Sequence, residues 1–439
     1  MCIRDSITII GCGYVGLVSG TCFSEFGADV SCYDIDKDRI EKLSNGEIPI
    51  YEPGLDNLVK KNIKQGRLKF TSQFDNCVPE SDLIFIAVGT PTRRGDGHAD
   101  LQYVFKAIED IAPYLNGYTL IVNKSTVPVG TAREVKKLII EKNPKATFDV
   151  ASNPEFLREG AAITDFMRPD RVVIGVESER ASDLLRELYR PINLIEAPIL
   201  FTNLESAELV KYASNAFLAT KVTFINEIAA LCEEVGADVH AVSKGMGLDG
   251  RIGRKFLHPG PGYGGSCLPK DTRALVRTAK EKGAQCEIVD TVIRVNEQQK
   301  IRMIEKICAA CDDDVSGKNL TILGLTFKPE TDDMRESPAL TILPELIKKK
   351  ANIIAYDPKG MDEAKKIFLN DVQFKDDPYE AIKKSDAVII MTEWNIFRGM
   401  NLKKIKKLMR GNKFIDLKNI YEPSEMKAAG FEYFCVGRS

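Results

Sequence analysis

Ile7-Thr8-Ile9-Ile10-Gly11-Cys12-Gly13-Tyr14-Val15-Gly16 is the stretch that decides the fold. The apolar run from Ile7 to Ile10 predicts a short strand, and the helical pattern that begins near Val15 predicts a helix directly after the glycine loop. Asp34 ends the next apolar run, at the spacing of the dinucleotide-binding fingerprint Gly-x-Gly-x-x-Gly. The stretch therefore predicts the first strand, turn and helix of a doubly wound sheet that binds a dinucleotide.

Each glycine of this loop has a separate physical reason. Gly11 permits the tight turn, Gly13 lets the backbone approach a pyrophosphate, and Gly16 allows close packing of helix on strand. The helix that begins near Val15 would direct its N–H groups at the phosphates, so Tyr14 and Val15 are candidate cofactor-binding residues. The alternative is a simple turn, which the preceding strand, the following helix and the acidic residue disfavour.

Asp34 predicts NAD rather than NADP. A carboxylate accepts hydrogen bonds from the two ribose hydroxyls of NAD and repels the 2'-phosphate of NADP. Lys37 and Arg39 lie nearby and would weaken this preference, unless they only form the solvated start of the next helix. Arg39 is also a candidate cofactor contact.

Further apolar runs alternate with helical patterns, which indicates a parallel sheet covered on both faces. Two of these runs lead into Gly89-Thr90-Pro91 and Ser125-Thr126-Val127-Pro128. Both lie at the carboxyl edge of the sheet, where ligands bind. Thr90 and Thr126 are therefore candidate cofactor-binding residues.

A weak internal repeat extends the pattern to the other end of the chain. Residues 203–235 are helix-compatible without interruption, and the strand runs resume at Leu320 to Gly324, Ile353 to Asp357 and Ala387 to Met391. These runs echo Ile7 to Gly11, Ser31 to Asp34 and Leu83 to Val88. We predict an α/β protein with two doubly wound Rossmann-like domains, at residues 1–202 and 316–439, joined by a central helical domain at residues 203–315.

Composition limits the class of protein. The chain has 439 residues, 44% hydrophobic and 28% charged, with a formal net charge of -2. These values describe an ordinary globular protein of two or three domains, without the basic excess of a nucleic-acid partner. There is no apolar run of about 20 residues for a membrane, and Met1 to Ser6 lacks the layout of a signal peptide. We expect a cytoplasmic location.

The eleven cysteines are scattered without a paired framework, so we expect thiols rather than disulfides. Cys308 and Cys311 form a single C-x-x-C in a helical stretch, which indicates helix packing rather than zinc. We expect no metal.

Cys267 lies in the most unusual stretch of the chain, from Phe256 to Asp271, where glycines and prolines surround it. Lys270 and Asp271 follow closely. A cysteine on a loop beside a cation is a candidate nucleophile, because the reactive form is the thiolate. The alternative is a cysteine that packs against a glycine-rich turn.

Lys211 and Asn215 are four residues apart in the long helical stretch and would project from one face. A lysine and an amide can together stabilise an oxyanion. The alternative for both is an ordinary helix surface. The three histidines, His98, His240 and His258, offer few candidates for a histidine base, and each is better explained by packing or exposure.

At this point the motifs resemble those of the UDP-glucose/GDP-mannose dehydrogenase family over nearly the whole chain. The matching motifs are Gly11 to Gly16, Tyr51-Glu-Pro-Gly-Leu55, Gly89-Thr-Pro91, Ser125-Thr-Val-Pro-x-Gly130, Asn153-Pro-Glu-Phe-Leu-x-Glu-Gly160, the helix of Lys211 and Asn215, Gly264-Gly-Ser-Cys-x-Pro-Lys-Asp271, Gly324-Leu-Thr-Phe-Lys328 and Asp332-Asp-Met-Arg-Glu-Ser337. The resemblance implies a four-electron oxidation of a primary alcohol to a carboxylate, with NAD as the cofactor.

The resemblance also implies roles for individual residues. Cys267 would trap the aldehyde as a thiohemiacetal, which is oxidised to a thioester and hydrolysed. The other implied catalytic residues stabilise oxyanions, handle protons and water, or hold the water: Lys211 and Asn215, Glu155 and Asp271, and Thr126. Glu159 and Arg335 match positions that contact NAD.

On the substrate side the resemblance implies contacts with a nucleotide sugar. The implied residues are Phe156, Leu157, Arg158, Glu159, Lys211, Asn215, His258, Gly260, Gly262, Tyr263, Gly264, Lys328 and Lys418. Arg251 would reach the substrate from a neighbouring subunit, so we expect a homodimer or a higher homo-oligomer. The Arg251 region favours UDP-glucose. Lys418 stands where the family usually has arginine. Unlike arginine, lysine cannot form a bidentate hydrogen bond to two oxygens.

Three alternatives stay open at this level. The sugar could be GDP-mannose or an N-acetylated UDP-hexosamine. A two-electron dehydrogenase of the hydroxy-acid type would share the nucleotide loop and the lysine-asparagine pair, with Cys267 only structural. A nucleotide-binding sensor would keep both folds without chemistry, which the intact Cys267, Lys211 and Asp271 disfavour.

Overall fold

The strands form where the sequence places apolar runs between glycine-rich turns. The computed structural model describes residues 6–91, 93, 98–193 and 196–438. The chain divides into two compact units, Met1–Ser214 and Asn215–Ser439. Residues 1–5, on which the expectation about a leader falls, lie outside the described residues.

The first unit is built on one eight-stranded sheet. Its strands are β1 (Ser6–Ile10), β2 (Asp29–Tyr33), β3 (Leu68–Thr71), β4 (Leu83–Ile86), β5 (Tyr118–Asn123), β6 (Thr147–Ser152), β7 (Val172–Gly175) and β8 (Ile199–Thr202). Its helices are α1 (Tyr14–Glu25), α2 (Lys37–Ser44), α3 (Leu55–Lys64), α4 (Gln102–Ile111), α5 (Thr131–Lys142), α6 (Ala162–Met167), α7 (Glu179–Leu188) and α8 (Arg190–Asn193).

The strand order is β3-β2-β1-β4-β5-β6-β7-β8, and the first six strands are parallel in the doubly wound order. Successive residues of β1 pack in different hydrophobic cores, with Ile9 on one face of the sheet and Ile10 on the other. Burial on both faces explains the continuous apolar runs. One feature departs from an all-parallel sheet, because β7 joins β6 antiparallel through the single pair Ser152 and Gly175.

Helix α9 (Leu204–Val235) is 32 residues long and contains both Lys211 and Asn215. After it the second unit contains α10 (Val239–Gly247), α11 (Leu268–Glu281), α12 (Glu287–Ala310), α13 (Ala339–Lys348), α14 (Met361–Phe368), α15 (Pro378–Ile382), α16 (Asn395–Arg398), α17 (Leu402–Leu408) and α18 (Pro423–Ala428). Its strands are β9 (Asn319–Leu323), β10 (Asn352–Tyr356), β11 (Val372–Phe374), β12 (Ala387–Ile390), β13 (Lys413–Asp416) and β14 (Glu432–Cys435).

The second sheet is parallel throughout, with the order β11-β10-β9-β12-β13-β14. This order repeats that of the first six strands, and β9, β10 and β12 are the strands that the repeat predicted. The predicted fold, two doubly wound domains with helices between them, is confirmed. The predicted domain boundaries at residues 202 and 315 stay a prediction. Within the described part of the chain, no helix is both long and apolar enough to cross a membrane.

Candidate active site

The glycine loop after β1 has the geometry that its sequence requires. Gly11 has φ +101° and donates its N–H to the carbonyl of Tyr33 at 2.8 Å. A Cβ at Gly11 would lie 2.8 Å from the carbonyl oxygen of Ala87, and one at Gly16 would lie 1.8 Å from that of Gly11. Both positions therefore exclude a side chain, whereas a Cβ at Gly13 would meet nothing within 4 Å. The open side at Gly13 is where a ligand can approach the backbone.

The start of α1 suits the pyrophosphate of a dinucleotide. Its N-cap is Gly13, no side chain caps its first N–H groups, and its first turn, from Tyr14, contains no acidic residue. These N–H groups and the positive end of the helix dipole favour an anion. The residues present therefore fit the predicted cofactor.

Asp34 directly follows β2 and is buried beneath this loop. Its Oδ2 accepts hydrogen bonds from the backbone N–H of Cys12 at 2.8 Å and from Nη1 of Arg39 at 3.0 Å. Its Oδ1 accepts from the backbone N–H of Asp36 at 3.0 Å. The carboxylate of Asp34 is thus fixed against the loop. Arg39 pairs with this carboxylate and is more than a solvated residue at the start of the next helix.

Thr90 and Thr126 are brought together at the carboxyl edge of the first sheet. The Thr90 hydroxyl donates to the carbonyl of Thr126 at 3.0 Å. Glu208 of α9 holds the same loop, since its carboxylate accepts from the N–H groups of Gly130 at 2.6 Å and Ala132 at 2.9 Å. Burial raises the pKa of Glu208 to about 7. No motif in the sequence assigned a role to Glu208, which holds this loop through contacts between distant segments.

Glu155 and Lys211 form a buried ion pair within the first unit. Nζ of Lys211 lies 3.1 Å from Oε1 of Glu155, with side chains only 3% and 6% exposed. The other carboxylate oxygen accepts from the N–H of Leu157 at 2.5 Å, and Nζ lies 5.3 Å from the Phe156 ring centroid. A buried pair of this kind is typical of functional sites, because its desolvation is costly.

The next residues of this segment are held by two carboxylates. Arg158 makes a two-point contact with Asp165, at 2.9 Å from Nε and 2.6 Å from Nη2. Glu52 accepts from the N–H of Gly160 at 2.7 Å, directly after Glu159, and from the hydroxyl of Tyr14. Glu52 therefore connects the glycine loop to the Glu159 segment. The sequence reasoning quoted its motif but missed this role.

Cys267 lies at the N-cap of the 14-residue helix α11, with its Sγ 3.5 Å from the hydroxyl of Ser266. In the first turn, Nζ of Lys270 pairs with Oδ1 of Asp271 at 2.7 Å. Oδ2 of Asp271 accepts from Nδ2 of Asn215 at 2.6 Å. Cys267 thus lies at a helix N-terminus together with the polar side chains of Ser266, Lys270, Asp271 and Asn215, and the helix dipole there favours a thiolate.

The glycine-proline loop before Cys267 packs too tightly for side chains. A Cβ at Gly264 would lie 2.3 Å from the carbonyl oxygen of Glu336, and one at Gly265 would lie 2.6 Å from the Phe327 ring. Gly265 donates its N–H to the carbonyl of Arg335 at 2.9 Å. The glycines are therefore needed for close backbone packing around the cysteine.

Three buried amides hold the rest of this loop. Asn226 accepts from the N–H of Gly260 at 2.8 Å, and Gln299 donates to the carbonyl of Gly260 at 2.8 Å. Asn296 accepts from the N–H of Tyr263 at 2.8 Å and donates to its carbonyl at 3.1 Å. Gly262 adopts φ +112° beside this amide. None of the three amides is part of a motif, so the sequence alone offered no signal for them.

The remaining predicted substrate residues are spread over the second unit. His258 lies 2.8 Å from the carbonyl of Lys418, whose Nζ pairs with Glu393 at 2.9 Å. Nζ of Lys328 lies 5.5 Å from the Phe327 ring centroid. Arg335 pairs with Asp333 at 2.8 Å. Arg251 pairs with the nearby Asp249 at 2.6 Å, and its side chain is 90% exposed.

The repeat in the second unit has lost the open nucleotide loop. Gly324 donates to the carbonyl of Tyr356, as Gly11 does to Tyr33. The counterpart of Asp34 is Asp357, which accepts from the N–H groups of Leu325 and Thr326 and from the indole of Trp394. Asp357 is only 1% exposed, and its carboxylate is enclosed by these donors. Among the described residues, no group of three or more His, Cys, Asp and Glu is arranged to hold a metal.

Two doubly wound domains, one with an open glycine loop over a fixed aspartate, define a dinucleotide-dependent dehydrogenase. Three models of the UDP-glucose/GDP-mannose dehydrogenase family match the chain in order: the NAD binding domain at residues 5–193, the central domain at 205–298 and the UDP binding domain at 321–423. The chain belongs to the UDP-glucose/GDP-mannose dehydrogenase family.

Individual relatives match over most of their length. The chain is 54% identical over 434 residues to a UDP-glucose 6-dehydrogenase of Rhizobium meliloti (strain 1021), covering 98% of this chain and 99% of the relative. It is 50% identical over 434 residues to UDP-glucose 6-dehydrogenase TuaD of Bacillus subtilis (strain 168), covering 98% and 93%. A solved structure of a UDP-glucose dehydrogenase from Pyrobaculum islandicum matches with a TM-score of 0.91 and 37% identity, covering 100% of both chains.

These findings confirm the predicted family, the predicted enzyme class and the predicted cofactor, NAD. The roles predicted for individual residues and the cytoplasmic location stay predictions.

Asp34→Asn is expected to reduce the preference for NAD over NADP at least tenfold in kcat/KM. The amide removes the charge that repels a 2'-phosphate and also removes the nearer of the two carboxylates paired with Arg39, since Asp36 lies 3.9 Å away, so that the arginine can meet the phosphate. Steady-state kinetics with both cofactors measure the ratio. Asp36→Asn is the matched control, because Asp36 is a helix N-cap and asparagine caps equally well. An unchanged ratio in Asp34→Asn would contradict the role of Asp34.

Proposed function

We propose that the protein oxidises UDP-glucose to UDP-glucuronate with two NAD per sugar, through a covalent intermediate on Cys267. The observation that carries the proposal is the position of Cys267 at the N-cap of α11, with Asp271 in the first turn bonded to Asn215. The relatives from Rhizobium meliloti and Bacillus subtilis, which are UDP-glucose 6-dehydrogenases, support this choice of sugar.

The first oxidation converts the primary alcohol to an aldehyde. NAD supplies the hydride acceptor for this step and for the second oxidation. Lys211 stabilises the oxygen on which negative charge develops, and Asn215 supports it with its amide. Glu155, which the structure pairs with Lys211, accepts the alcohol proton through water.

The second oxidation depends on Cys267. Its thiolate adds to the aldehyde carbon and forms a C–S bond, and the oxygen takes up a proton to give a thiohemiacetal. Loss of that hydroxyl proton and of a hydride from the same carbon leaves a thioester. A water molecule, which Thr126 holds and Glu155 or Asp271 helps to deprotonate, then attacks the thioester. This hydrolysis releases the carboxylate and the thiol.

A panel of nucleotide sugars tests the choice of substrate. UDP-glucose, UDP-galactose, GDP-mannose and N-acetylated UDP-hexosamines are each incubated with NAD, and NADH absorbance is followed. We expect UDP-glucose to give the highest kcat/KM and two NADH per sugar. A higher kcat/KM for GDP-mannose or an N-acetylated sugar would replace UDP-glucose in the proposal.

The nucleotide part of the substrate is proposed to contact the second unit. Lys328 and Lys418 supply positive charge for the phosphates, and the loop from His258 to Gly264 offers its backbone. Lys418 is already paired with Glu393, so it offers less charge than an unpaired cation would. The segment Phe156 to Glu159 is proposed to contact the sugar, and Glu159 and Arg335 are each proposed to contact NAD.

A homodimer is proposed from the surface of α9. Phe217, Phe224 and Leu231 are seven residues apart and 64%, 45% and 55% exposed. Seven-residue spacing places them along one side of the helix, as in a helix-helix seam. An exposed apolar stripe of this kind marks an interaction surface, and Arg251, whose side chain is 90% exposed, would reach the substrate site of the second copy.

Mixing two inactive variants tests the shared site. Arg251→Ala and Cys267→Ala chains, unfolded together and refolded, should recover up to about a quarter of the wild-type activity. Half of the dimers are mixed, and one of the two sites in each mixed dimer has both residues intact. Analytical ultracentrifugation and NADH absorbance give the two readouts. An active monomer, or no recovery in mixtures that ultracentrifugation shows to be dimeric, would contradict the composite site.

A further inference from the structure

Lys124 is a buried lysine to which neither the motifs nor the proposed reaction assigns a role. It directly follows β5, and its side chain is 4% exposed. Its Nζ donates to Oδ1 of Asn153 at 2.9 Å and to the hydroxyl of Tyr189 at 3.2 Å. Within residues 6–91, 93, 98–193 and 196–438, no carboxylate lies at ion-pair distance from this ammonium group.

The partners of Lys124 are themselves fixed. The Tyr189 hydroxyl donates to Oδ1 of Asn153 at 2.5 Å, and Nδ2 of Asn153 donates to the carbonyl of Val173 at 2.8 Å. Nζ also lies 5.7 Å and 5.8 Å from the ring centroids of Phe166 and Tyr189. These hydrogen bonds to fixed partners in a buried environment hold the cation in one place.

Packing does not explain a lysine at this position. Burial lowers the pKa of Lys124 to about 8, which means that the folded protein disfavours the charged form. An apolar side chain of similar length would avoid this cost. A buried cation that lowers stability indicates a role for the charge itself.

The charge of Lys124 faces the Glu155 and Lys211 pair. Lys124 and Glu155 line one small cavity of about 40 Å³, together with Asp165 and Arg171. The pKa of Lys124 is raised by the charge of Glu155 and lowered by that of Lys211, so both lie within electrostatic range. The titratable groups around Lys124 are thus Glu155, Asp165, Arg171, Tyr189 and Lys211, from five different segments.

Glu155 needs a second cation when Lys211 is engaged elsewhere. In the proposed function, Lys211 stabilises the substrate oxyanion. While it does so, its ion pair with Glu155 is weakened. A buried carboxylate that loses its ion pair takes up a proton unless another charge compensates it. We propose that Lys124 is a positioning residue that keeps Glu155 ionised during the reaction, acting from inside the core of the NAD-binding domain. This inference rests on the proposed function.

Lys124→Met tests the inference through the pH profile of kcat/KM. Without the second cation the acid limb of this profile is expected to move up by about one pH unit. The profile is measured with whichever nucleotide sugar of the panel is turned over fastest, so a wrong sugar would affect only the proposed function. Lys106→Met, which removes a surface lysine paired with Asp110, is the charge control. Tyr189→Phe removes a hydrogen-bond partner of Lys124 but keeps its charge. This variant should leave the acid limb of the pH profile near its wild-type position.

Thermal unfolding gives a readout without substrate. Lys124→Met should melt at the same or a higher temperature than the wild type. Because the pKa of Lys124 is about 8 in the folded protein and near 10.5 when unfolded, the wild type gains stability relative to this variant as the pH rises from 8 to 10.5. An acid limb that stays in place in Lys124→Met overturns the inference, whatever the melting temperature. Loss of folding in both Lys124→Met and Lys124→Gln also overturns it, because the lysine would then be structural.

Discussion

Cys267→Ser is expected to lower kcat on the order of a thousandfold or more while the binding of the nucleotide sugar survives. A serine hydroxyl is a much weaker nucleophile at neutral pH than a thiolate at a helix N-terminus. An ester formed at this position would also break down more slowly than a thioester. Steady-state NADH absorbance measures the residual rate, and isothermal titration measures sugar binding.

Intact-mass spectrometry adds a second measurement on the same variant. After incubation with NAD and UDP-glucose, Cys267→Ser should show the added mass of the nucleotide sugar on part of the protein. Cys286→Ser is the matched control, because Cys286 is also a helix N-cap cysteine of the second unit but belongs to no motif. That control should keep wild-type turnover.

The wild-type stoichiometry separates the proposed reaction from its main alternative. A single site with a covalent intermediate should yield two NADH per sugar. Wild-type turnover in Cys267→Ser, or one NADH per substrate with a ketone product, would instead support the two-electron dehydrogenase of the hydroxy-acid type.

Lys211→Met is expected to have the second largest effect, because the lysine cation contributes both to the stability of the fold and to catalysis. The Glu155 carboxylate stays buried without its ion-pair partner, and breaking such a pair costs about 3–5 kcal/mol in the free energy of unfolding. Loss of an oxyanion-stabilising group lowers kcat by about 10²–10³. Chemical denaturation and steady-state kinetics measure the two effects separately.

A double variant distinguishes the two losses. Lys211→Met with Glu155→Gln removes both charges, so much of the stability should return while activity stays low. For stability, Lys300→Met is the control: this lysine is equally buried, but its partner Glu297 is half exposed and can be solvated. If the double variant regained activity, the role of Lys211 in catalysis would be wrong.

The fold could be predicted from local sequence because its signals are local. Glycine at fixed spacing, apolar runs of strand length and an acidic residue after the second strand follow from backbone sterics and burial on both faces of a sheet. The strands of the repeat near Leu320, Ile353 and Ala387 were predictable for the same reason, because each is an apolar run of strand length. The antiparallel join of β6 and β7 was not predictable, because strand direction depends on how distant segments pack.

By itself, the sequence determined the two doubly wound domains, the glycine loop over Asp34, the family and the identity of the candidate nucleophile, since each depends on residue types at fixed spacing. Only the tertiary structure decided which polar groups meet. Glu155 pairs with Lys211, Asp271 with Asn215, and Asp357 is enclosed although it occupies the position of Asp34 in the repeat. The contributions of Glu52, Lys124 and Glu208 likewise come from contacts between segments far apart in the chain. Electrostatics acts through space, so the charge that each of these side chains faces is set by folding and not by sequence spacing.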